Sequence, residues 1–186
     1  SSREAAEASL RVYTLGEFRV EHGGRKIASG DWGGGQARQL FKCLITRRSH
    51  RLPLDDVYEL FFADSADAAD STLRTTIHRL RRIIEPNVKS TESVILSGRA
   101  DGVAFRRDAA VWIDAEVFER LLTDARHAGD PLPLLEQADQ LYQGEFLPDD
   151  PLEEWATPRR ETLRQQWIDL QLELARVQEQ RGSIDA

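Results

Sequence analysis

A chain of 186 residues with 40% hydrophobic and 31% charged residues is long enough for one medium domain or two small ones, and its composition is typical of a soluble globular protein. No apolar run approaches the roughly 18 residues that a membrane helix needs, no basic-then-apolar signal segment is seen, and the single cysteine, Cys43, excludes an internal disulfide. We therefore expect a cytoplasmic protein that does not associate with membranes.

The charges are unevenly distributed along the chain. Residues 1–107 contain 18 Lys and Arg against 14 Asp and Glu, which gives +4, whereas residues 108–186 contain 7 against 18, which gives −11. The net charge of −7 is the sum of these two halves and describes neither of them. Because a nucleic acid responds to the local field, the acidic total does not exclude DNA binding by the front half.

The first predicted elements are strands. Residues 10–27 are rich in Val, Tyr and Phe, and the turn signal HGGR divides them, so we expect two antiparallel strands. The following SGDWGGG, residues 29–35, is predicted to be a flexible loop. It differs from a phosphate-binding P-loop, because Gln36 and Ala37 stand where Gly-Lys-Ser/Thr would be needed.

Two amphipathic helices are predicted next. Apolar residues from Ala37 to Ile45 recur at i, i+3, i+4, i+7 and i+8, which places them on one helical face. Cys43 lies beside this stripe and is expected to be a packing residue, since no activating base is near it in sequence. A short second helix is predicted from Leu54 to about Ala63.

The third predicted helix, residues 68–85, contains four arginines. Its apolar stripe faces the core and consists of Leu73, Ile77, Leu80 and Ile84. At about 100° per residue, the opposite side carries Ser71, Thr75, His78 and Arg82, with Arg74 and Arg79 beside them. Three of the four arginines are thus predicted to lie on or beside the outward face, and Pro86 fits the end of the helix.

Two strands around a turn are predicted over residues 94–106, and the rest of the chain is predicted to be helical. The predicted helices cover residues 112–129, 132–144 and 151–182. The stretch GEFLP, residues 144–148, is predicted to be a corner between helices. Because the spacing is close to that of helical repeats, we predict two domains, residues 10–107 and residues 112–186.

Strands, three helices and a hairpin follow one another in the order of a winged helix-turn-helix, in which the third helix enters the major groove of DNA. The planar fork of arginine can bond guanine edges in bidentate fashion, which lysine cannot. The predicted base contacts are Arg74, Thr75, His78 and Arg79. The predicted backbone contacts on the same elements are Ser71, Arg81, Arg82 and, at the turn of the hairpin, Arg99, which could also enter the minor groove.

Other interpretations of the charged residues remain open. An arginine-rich face can be an ordinary solvated surface, with Asp70 and Glu85 as weak ion-pair partners. Catalysis is not expected, because no Ser-His, Cys-His or paired-carboxylate arrangement stands out. Asp114 and Glu116 fit a helix start, where carboxylates interact favourably with the helix dipole. No residues have metal-ligand spacing, so neither a metal nor a cofactor is expected.

Nine motifs follow one another in the order and spacing of a known family. They are LRVYTLGEFRV with a later Gly and Ile, Trp32, ARQLFKCL, LDDVYELFFAD, AADSTLRTTIHRLRRIIEP, DGVAF, WIDAEVFERLL, LYQGEFLP and EWATPRRETLR. Across residues 10–182 the chain thus resembles a bacterial transcriptional regulator of the SARP type. This resemblance implies an α+β winged helix-turn-helix of the OmpR/PhoB type, followed by an all-α tetratricopeptide-like helical-hairpin domain, the bacterial transcriptional activation domain (BTAD).

The resemblance also implies how DNA is read. The recognition helix would be residues 68–85, and the implied DNA contacts are Arg74, Thr75, Thr76, His78, Arg79 and Arg81. The helical wheel places Thr76 and Arg81 nearer the edge of the core. The family typically binds direct repeats of double-stranded DNA and recruits RNA polymerase. We therefore expect polymerase contact through the loop Asp64–Asp70, a homodimer on DNA, and control through the rear domain.

The sequence departs from the family pattern at two places. Family members often carry basic residues between the tryptophan and the first helix, whereas Gly33, Gly34 and Gly35 stand here, which leaves Arg38 and Lys42 as the expected phosphate contacts. The activation domain has about half of its usual helices. Since the chain also contains no methionine, we expect it to be a fragment of a longer protein.

An alternative function remains open, namely a winged-helix and tetratricopeptide protein-interaction module that has lost DNA binding. The glycines at 33–35 and the charge of −11 on residues 108–186 are compatible with it. This alternative predicts no salt-sensitive affinity for DNA. The rear domain likewise has two interpretations, a concave surface for a partner or effector and a scaffold that orients dimers.

Overall fold

A computed structural model describes residues 8–33, 35–62, 69–99 and 102–184, and the fold in these ranges is mixed α/β. Its strands are β1 Leu10–Tyr13, β2 Arg19–His22, β3 Arg25–Lys26, β4 Arg51–Leu52, β5 Ile95–Gly98, β6 Gly102–Phe105 and β7 Val111–Ile113. Its α-helices are α1 Gly35–Thr46, α2 Leu54–Phe62, α3 Ala69–Ile84, α4 Asp114–Ala125, α5 Leu132–Leu141 and α6 Thr157–Ile184. None of the helices in the described ranges is long and apolar enough to cross a membrane.

The chain divides into two compact units. The front unit is Glu21–Ala110, and the rear unit is Ser1–Val20 together with Val111–Ala186. The predicted boundaries, by contrast, keep residues 10–20 with the front domain. The difference arises because β1 pairs in parallel with β7, with Leu10 opposite Val111, a long-range contact that local sequence patterns do not contain.

The first sheet has the strand order β3-β2-β1-β7. The predicted turn at HGGR joins β2 to β3, which pair antiparallel with Glu21 opposite Lys26. Residues 10–22 form two strands where one was predicted. The interruption falls at Gly16, whose φ of +94° is not compatible with extended backbone.

The front unit packs α1 against α3 beside a second sheet of order β4-β6-β5. Phe41 of α1 is fully buried, and its ring lies 5.6 Å from that of Trp32 and 6.0 Å from that of Phe105. Strands β5 and β6 form the predicted hairpin, with Gly98 opposite Gly102 next to the turn. The three helices and the hairpin therefore occur in the predicted order.

The rear unit packs α4 against α5 and α6. The first of these helices begins at Asp114, two residues after the predicted start, because residues 111–113 pair with β1 instead. Tyr142 stacks on Trp167 at 5.2 Å between ring centroids, with Phe118 on its other side. These rings connect α4, which contains Phe118, and the end of α5, which Tyr142 follows, to Trp167 of α6.

The stretch predicted to be a corner between helices has a further role in the rear unit. Phe146 forms an isolated antiparallel bridge with Leu15, and the backbone N–H of Leu147 donates to the carbonyl of Thr14 at 2.8 Å. The Arg160 guanidinium donates to the carbonyls of Phe146 and Asp150 at 3.1 and 2.8 Å. The corner thus connects residues 14 and 15 to α6.

Candidate nucleic-acid interface

Helix α3 has one buried face and one exposed face. The buried face contains the predicted stripe, with Leu80 and Ile84 fully enclosed. The exposed residues on the other side include Ser71, Arg74, Thr75, His78, Arg79 and Arg82. Six of the predicted DNA-contacting residues are thereby brought together on one solvent-facing surface, which we call the α3 face.

Thr76 lies outside the α3 face. Its side chain is buried, and its hydroxyl donates to the Oε1 atom of Gln36 at 3.2 Å. This hydrogen bond joins α3 to the first turn of α1. Thr76, which the family resemblance implied as a DNA contact, is therefore assigned a packing role, in agreement with its place on the helical wheel.

Arg81 is half-buried and is hydrogen-bonded to the hairpin. Its Nε atom donates to the carbonyl of Ile95 at 2.9 Å, and Nη2 donates to the hydroxyl of Ser97 at 3.1 Å. Burial lowers the pKa of Arg81, while the nearby charge of Glu85 opposes that shift. The guanidinium of Arg81 thus attaches β5 to α3, and its role as a DNA backbone contact stays a prediction.

The two predicted phosphate contacts on α1 differ in exposure. Lys42 is only 1% exposed and lies within a run of buried residues, 40 to 45. A side chain in that position cannot present its ammonium group to a phosphate, so Lys42 is removed from the candidate interface. Arg38 is half-buried and stays a candidate.

The turn of the β5–β6 hairpin lies near the start of α3. Tyr58 of α2 donates a short hydrogen bond to Asp70, which raises the pKa of Tyr58 together with burial and the negative charge of Asp70. Arg74 and Arg99 are both close enough to lower this pKa. Arg99 is exposed and lies within electrostatic range of Tyr58, whose hydroxyl is bonded to Asp70 at the start of α3.

The end of α3 is fixed by Arg25, for which the sequence predicts no role, and by Glu85, which the sequence offers only as a weak ion-pair partner. Arg25, beside the predicted HGGR turn, donates to the carbonyls of Ile83 and Ile84 at 2.6 and 3.2 Å. Glu85 is buried and accepts bonds from the Ser93 hydroxyl at 2.5 Å and the Val94 N–H at 2.9 Å. No local sequence signal links Arg25 to this helix end, because the residues are 58 positions apart, although the last carbonyls of a helix are known to lack helical partners.

A shallow cavity of about 250 Å³ separates the start of α1 from α3. It is lined by the first residues of α1 and by Thr72, Thr75 and Arg79. The guanidinium of Arg79 also lies against the backbone of Gly33, in the glycine segment before α1. The sequence predicts this segment to be flexible, whereas residues 29–32 form a 3-10 helix and Gly33 adopts a defined conformation.

Two further expectations concern metals and RNA polymerase. Within the described ranges, no group of three or more His, Cys, Asp or Glu side chains is arranged to hold a metal ion. Of the predicted polymerase-contacting loop Asp64–Asp70, residues 64–68 lie outside the described residues. That loop stays a prediction.

Comparisons with known proteins give a structural match only. No family model and no curated protein matches the sequence. The fold is similar to that of EmbR from Mycobacterium tuberculosis, solved in complex with a low affinity phosphopeptide, with a TM-score of 0.75 and 15% sequence identity. The match covers 94% of this chain and 46% of the EmbR chain, so this chain spans less than half of that protein. The similarity supports a SARP-like fold.

Proposed function

We propose that this chain is a sequence-specific DNA-binding transcriptional regulator of the SARP type, and that it acts as an activator. In this proposal α3 is the recognition helix of a winged helix-turn-helix and enters the major groove. The β5–β6 hairpin is the wing and contacts the DNA backbone or the minor groove. The rear unit is the first part of a tetratricopeptide-like activation domain.

The observation that carries the proposal is the composition of the α3 face. It combines Arg74 and Arg79, which can bond guanine edges, with Thr75 and His78, which can bond other base edges. Arg82 lies at the end of the same face and suits a phosphate. A surface of this kind is expected of a helix that reads DNA, since base contacts and phosphate contacts are both needed.

The hairpin supports the proposal through its attachment to α3. The bonds from Arg81 attach β5 to the helix, and Arg99, which follows β5, is exposed. One rigid surface can thus contact the bases through α3 and the backbone through the hairpin. On the basis of the family resemblance, we further propose that the protein binds direct repeats of DNA, forms a homodimer there and recruits RNA polymerase.

DNA binding can be tested by fluorescence anisotropy. A labelled duplex is first selected from a random pool with the full 186-residue chain, and its affinity is then measured across a salt titration. We expect a steep negative slope of log affinity against log salt. Replacing Arg79 by Ala should cost about 1–3 kcal/mol on the selected duplex and less on a random duplex of the same length.

A charge-matched control separates a DNA site from a general loss of positive charge. The Arg79→Ala/Arg82→Ala variant removes two exposed arginines from α3, and Arg126→Ala/Arg164→Ala removes two from the rear unit. Only the first pair should reduce binding. A folded wild-type chain that selects no duplex and shows no salt-dependent binding would contradict the proposal and favour the protein-interaction module instead.

A further inference from the structure

We propose that Gly33 is a positioning residue for Arg79, because the missing side chain at residue 33 leaves the space in which the Arg79 guanidinium lies. This inference rests on the proposed DNA-binding function and adds a specific device to it. Arg79 is the residue that would contact DNA, and Gly33 would act only through it. From the sequence alone, the glycines at 33–35 only replace basic residues that would contact phosphate, and residue 33 has no role of its own.

The geometry at Gly33 is specific to Arg79. A Cβ atom built on Gly33 would overlap with Nη2 of Arg79 and lie 2.7 Å from Cζ and 3.2 Å from Nε. All three nearest atoms belong to the Arg79 guanidinium. Any side chain at residue 33 would therefore displace this group, and because arginine is flexible, it is the guanidinium that would move.

The backbone of Gly33 is also one that only glycine adopts easily. Its φ of 58° and ψ of −131° lie outside the regions open to residues with a Cβ. The segment can therefore turn from the 3-10 helix Ser29–Trp32 into α1 with its backbone close to α3. Backbone shape and lack of a side chain act together at this position.

A second contact sets the distance between the two elements. Thr76 of α3 is hydrogen-bonded to Gln36 of α1, and Arg79 follows Thr76 by three residues on the same helix. Residues three apart lie close together along a helix, so the Thr76–Gln36 bond helps to place Arg79 beside the segment before α1. The position of the guanidinium thus follows from the packing of α1 on α3.

The functional consequence is a reduced cost of ordering the side chain. A free arginine samples many rotamers and loses them when it binds. An Arg79 that already lies against Gly33 has fewer conformations to lose, so its contribution to DNA affinity should depend on residue 33. Neither Arg74 nor Arg82 contributes any of the three atoms nearest to the Cβ position of Gly33.

The experiment compares four variants of the full chain on the selected duplex. They are Gly33→Ala, Arg79→Ala, the double variant, and Gly24→Ala. Gly24 is the control, because its φ of +81° is also positive and so strains alanine, while no atom lies within 4 Å of its ideal Cβ position. Thermal unfolding of each variant establishes that it is folded.

We expect Gly33→Ala and Arg79→Ala each to weaken binding by about tenfold. The double variant should be no weaker than Arg79→Ala alone, because both changes act through one guanidinium. Gly24→Ala should bind like the wild type. The inference is overturned if Gly33→Ala binds like the wild type, if Gly24→Ala loses as much as Gly33→Ala, or if the two losses add in the double variant.

A direct measurement keeps the inference testable if Gly33→Ala does not fold. In the isotope-labelled wild-type chain, an NOE is expected between the Hα protons of Gly33 and the Hε proton of Arg79, which is assigned by its loss in Arg79→Lys. Absence of this NOE in the folded chain overturns the inference. A wild-type chain that binds no duplex at all is a different failure, because it removes the proposed function whether or not the NOE is present.

Discussion

Arginines are used in opposite ways in the two units of the chain. On α3 of the front unit, Arg74, Arg79 and Arg82 are exposed. At the start of α6 in the rear unit, Arg159 forms a bidentate ion pair with Glu119, with both distances at 2.6 Å, and Arg160 donates to three backbone carbonyls. The sequence motifs HRLRR and PRRET look equally basic, yet Arg79 and Arg82 of the first are exposed, while both arginines of the second are bonded within the fold.

The number of arginines in a segment therefore does not show whether they bind a ligand or stabilise the fold. That depends on whether each arginine has partners within the protein. Residues 108–186, which include most of the rear unit, carry a charge of −11, and here Arg159 and Arg160 find an acidic side chain and backbone carbonyls within the fold. Only Asp70 provides a carboxylate on α3 itself, and it is bonded to Tyr58. Replacing individual arginines by alanine therefore tests whether each one serves binding or stability.

The largest effect is expected from Arg159→Ala. Its side chain and that of Glu119 are only 9% and 11% exposed, so the change removes the bidentate partner of a carboxylate that stays buried. We expect the free energy of unfolding to fall by about 3–5 kcal/mol in urea denaturation. Arg164→Ala, an exposed position on the same helix, should cost less than about 0.5 kcal/mol.

The double variant Arg159→Ala/Glu119→Ala serves as the internal check of that prediction. It removes both charges, so it should be more stable than Arg159→Ala alone. A single variant that unfolds with the wild-type midpoint would show that this ion pair is not a core interaction. The contrast between the units would then be lost.

The next largest effect is expected from Asp114→Ala in the rear unit. This buried carboxylate accepts bonds from the N–H groups of Thr14, Leu15 and Ala115 and from the Thr14 hydroxyl, while burial raises its pKa. The alanine variant leaves buried donors without an acceptor, and we expect a loss of about 2–3 kcal/mol. Glu116→Ala, two residues further along α4, is the control. Equal losses at the two positions would contradict the central role of Asp114.

The element order and the α3 face could be predicted from the sequence because they depend on local patterns. The stripe from Leu73 to Ile84 fixes which side of α3 faces the core, and the opposite residues follow from helical geometry alone. The same reasoning placed Thr76 and Arg81 near the core edge. Both were given a DNA role by family resemblance, and both turned out to have partners within the front unit.

The rest depends on contacts between residues distant in sequence, which periodicity does not contain. Lys42 was expected to contact phosphate because residues 33–35 are glycines, yet it is 1% exposed on a helix that is buried on more than one side. The pairing of β1 with β7 assigns the first strand to the rear unit. The contact of Arg79 with Gly33 joins residues 46 positions apart and is seen only once α1 and α3 are packed.

A smaller effect is expected from Arg81→Ala, which tests the comparison within α3 itself. The change removes two hydrogen bonds to β5 and leaves the carbonyl of Ile95 without this donor. We expect a stability loss of about 1 kcal/mol and faster hydrogen exchange in β5. Arg82→Ala, at the exposed neighbouring position, should change the stability by less than about 0.5 kcal/mol and leave hydrogen exchange in β5 as in the wild type. If Arg82→Ala destabilises the fold as much as Arg81→Ala, the assignment of Arg82 to the surface is wrong.

The smallest energetic effect, and the most specific, is expected from Arg82→Ala and Arg99→Ala on DNA. Each residue is exposed and each is proposed to hold a phosphate, so each variant should release about one counterion fewer on binding. The slope of log affinity against log salt should therefore flatten by about 0.9 for each variant, equally on selected and random duplexes. Arg79→Ala should instead reduce the preference for the selected duplex. A variant of Arg82 or Arg99 that changes this preference while keeping the wild-type salt slope would show that it contacts a base, and the division of the α3 face into base-reading and phosphate-holding arginines would have to be redrawn.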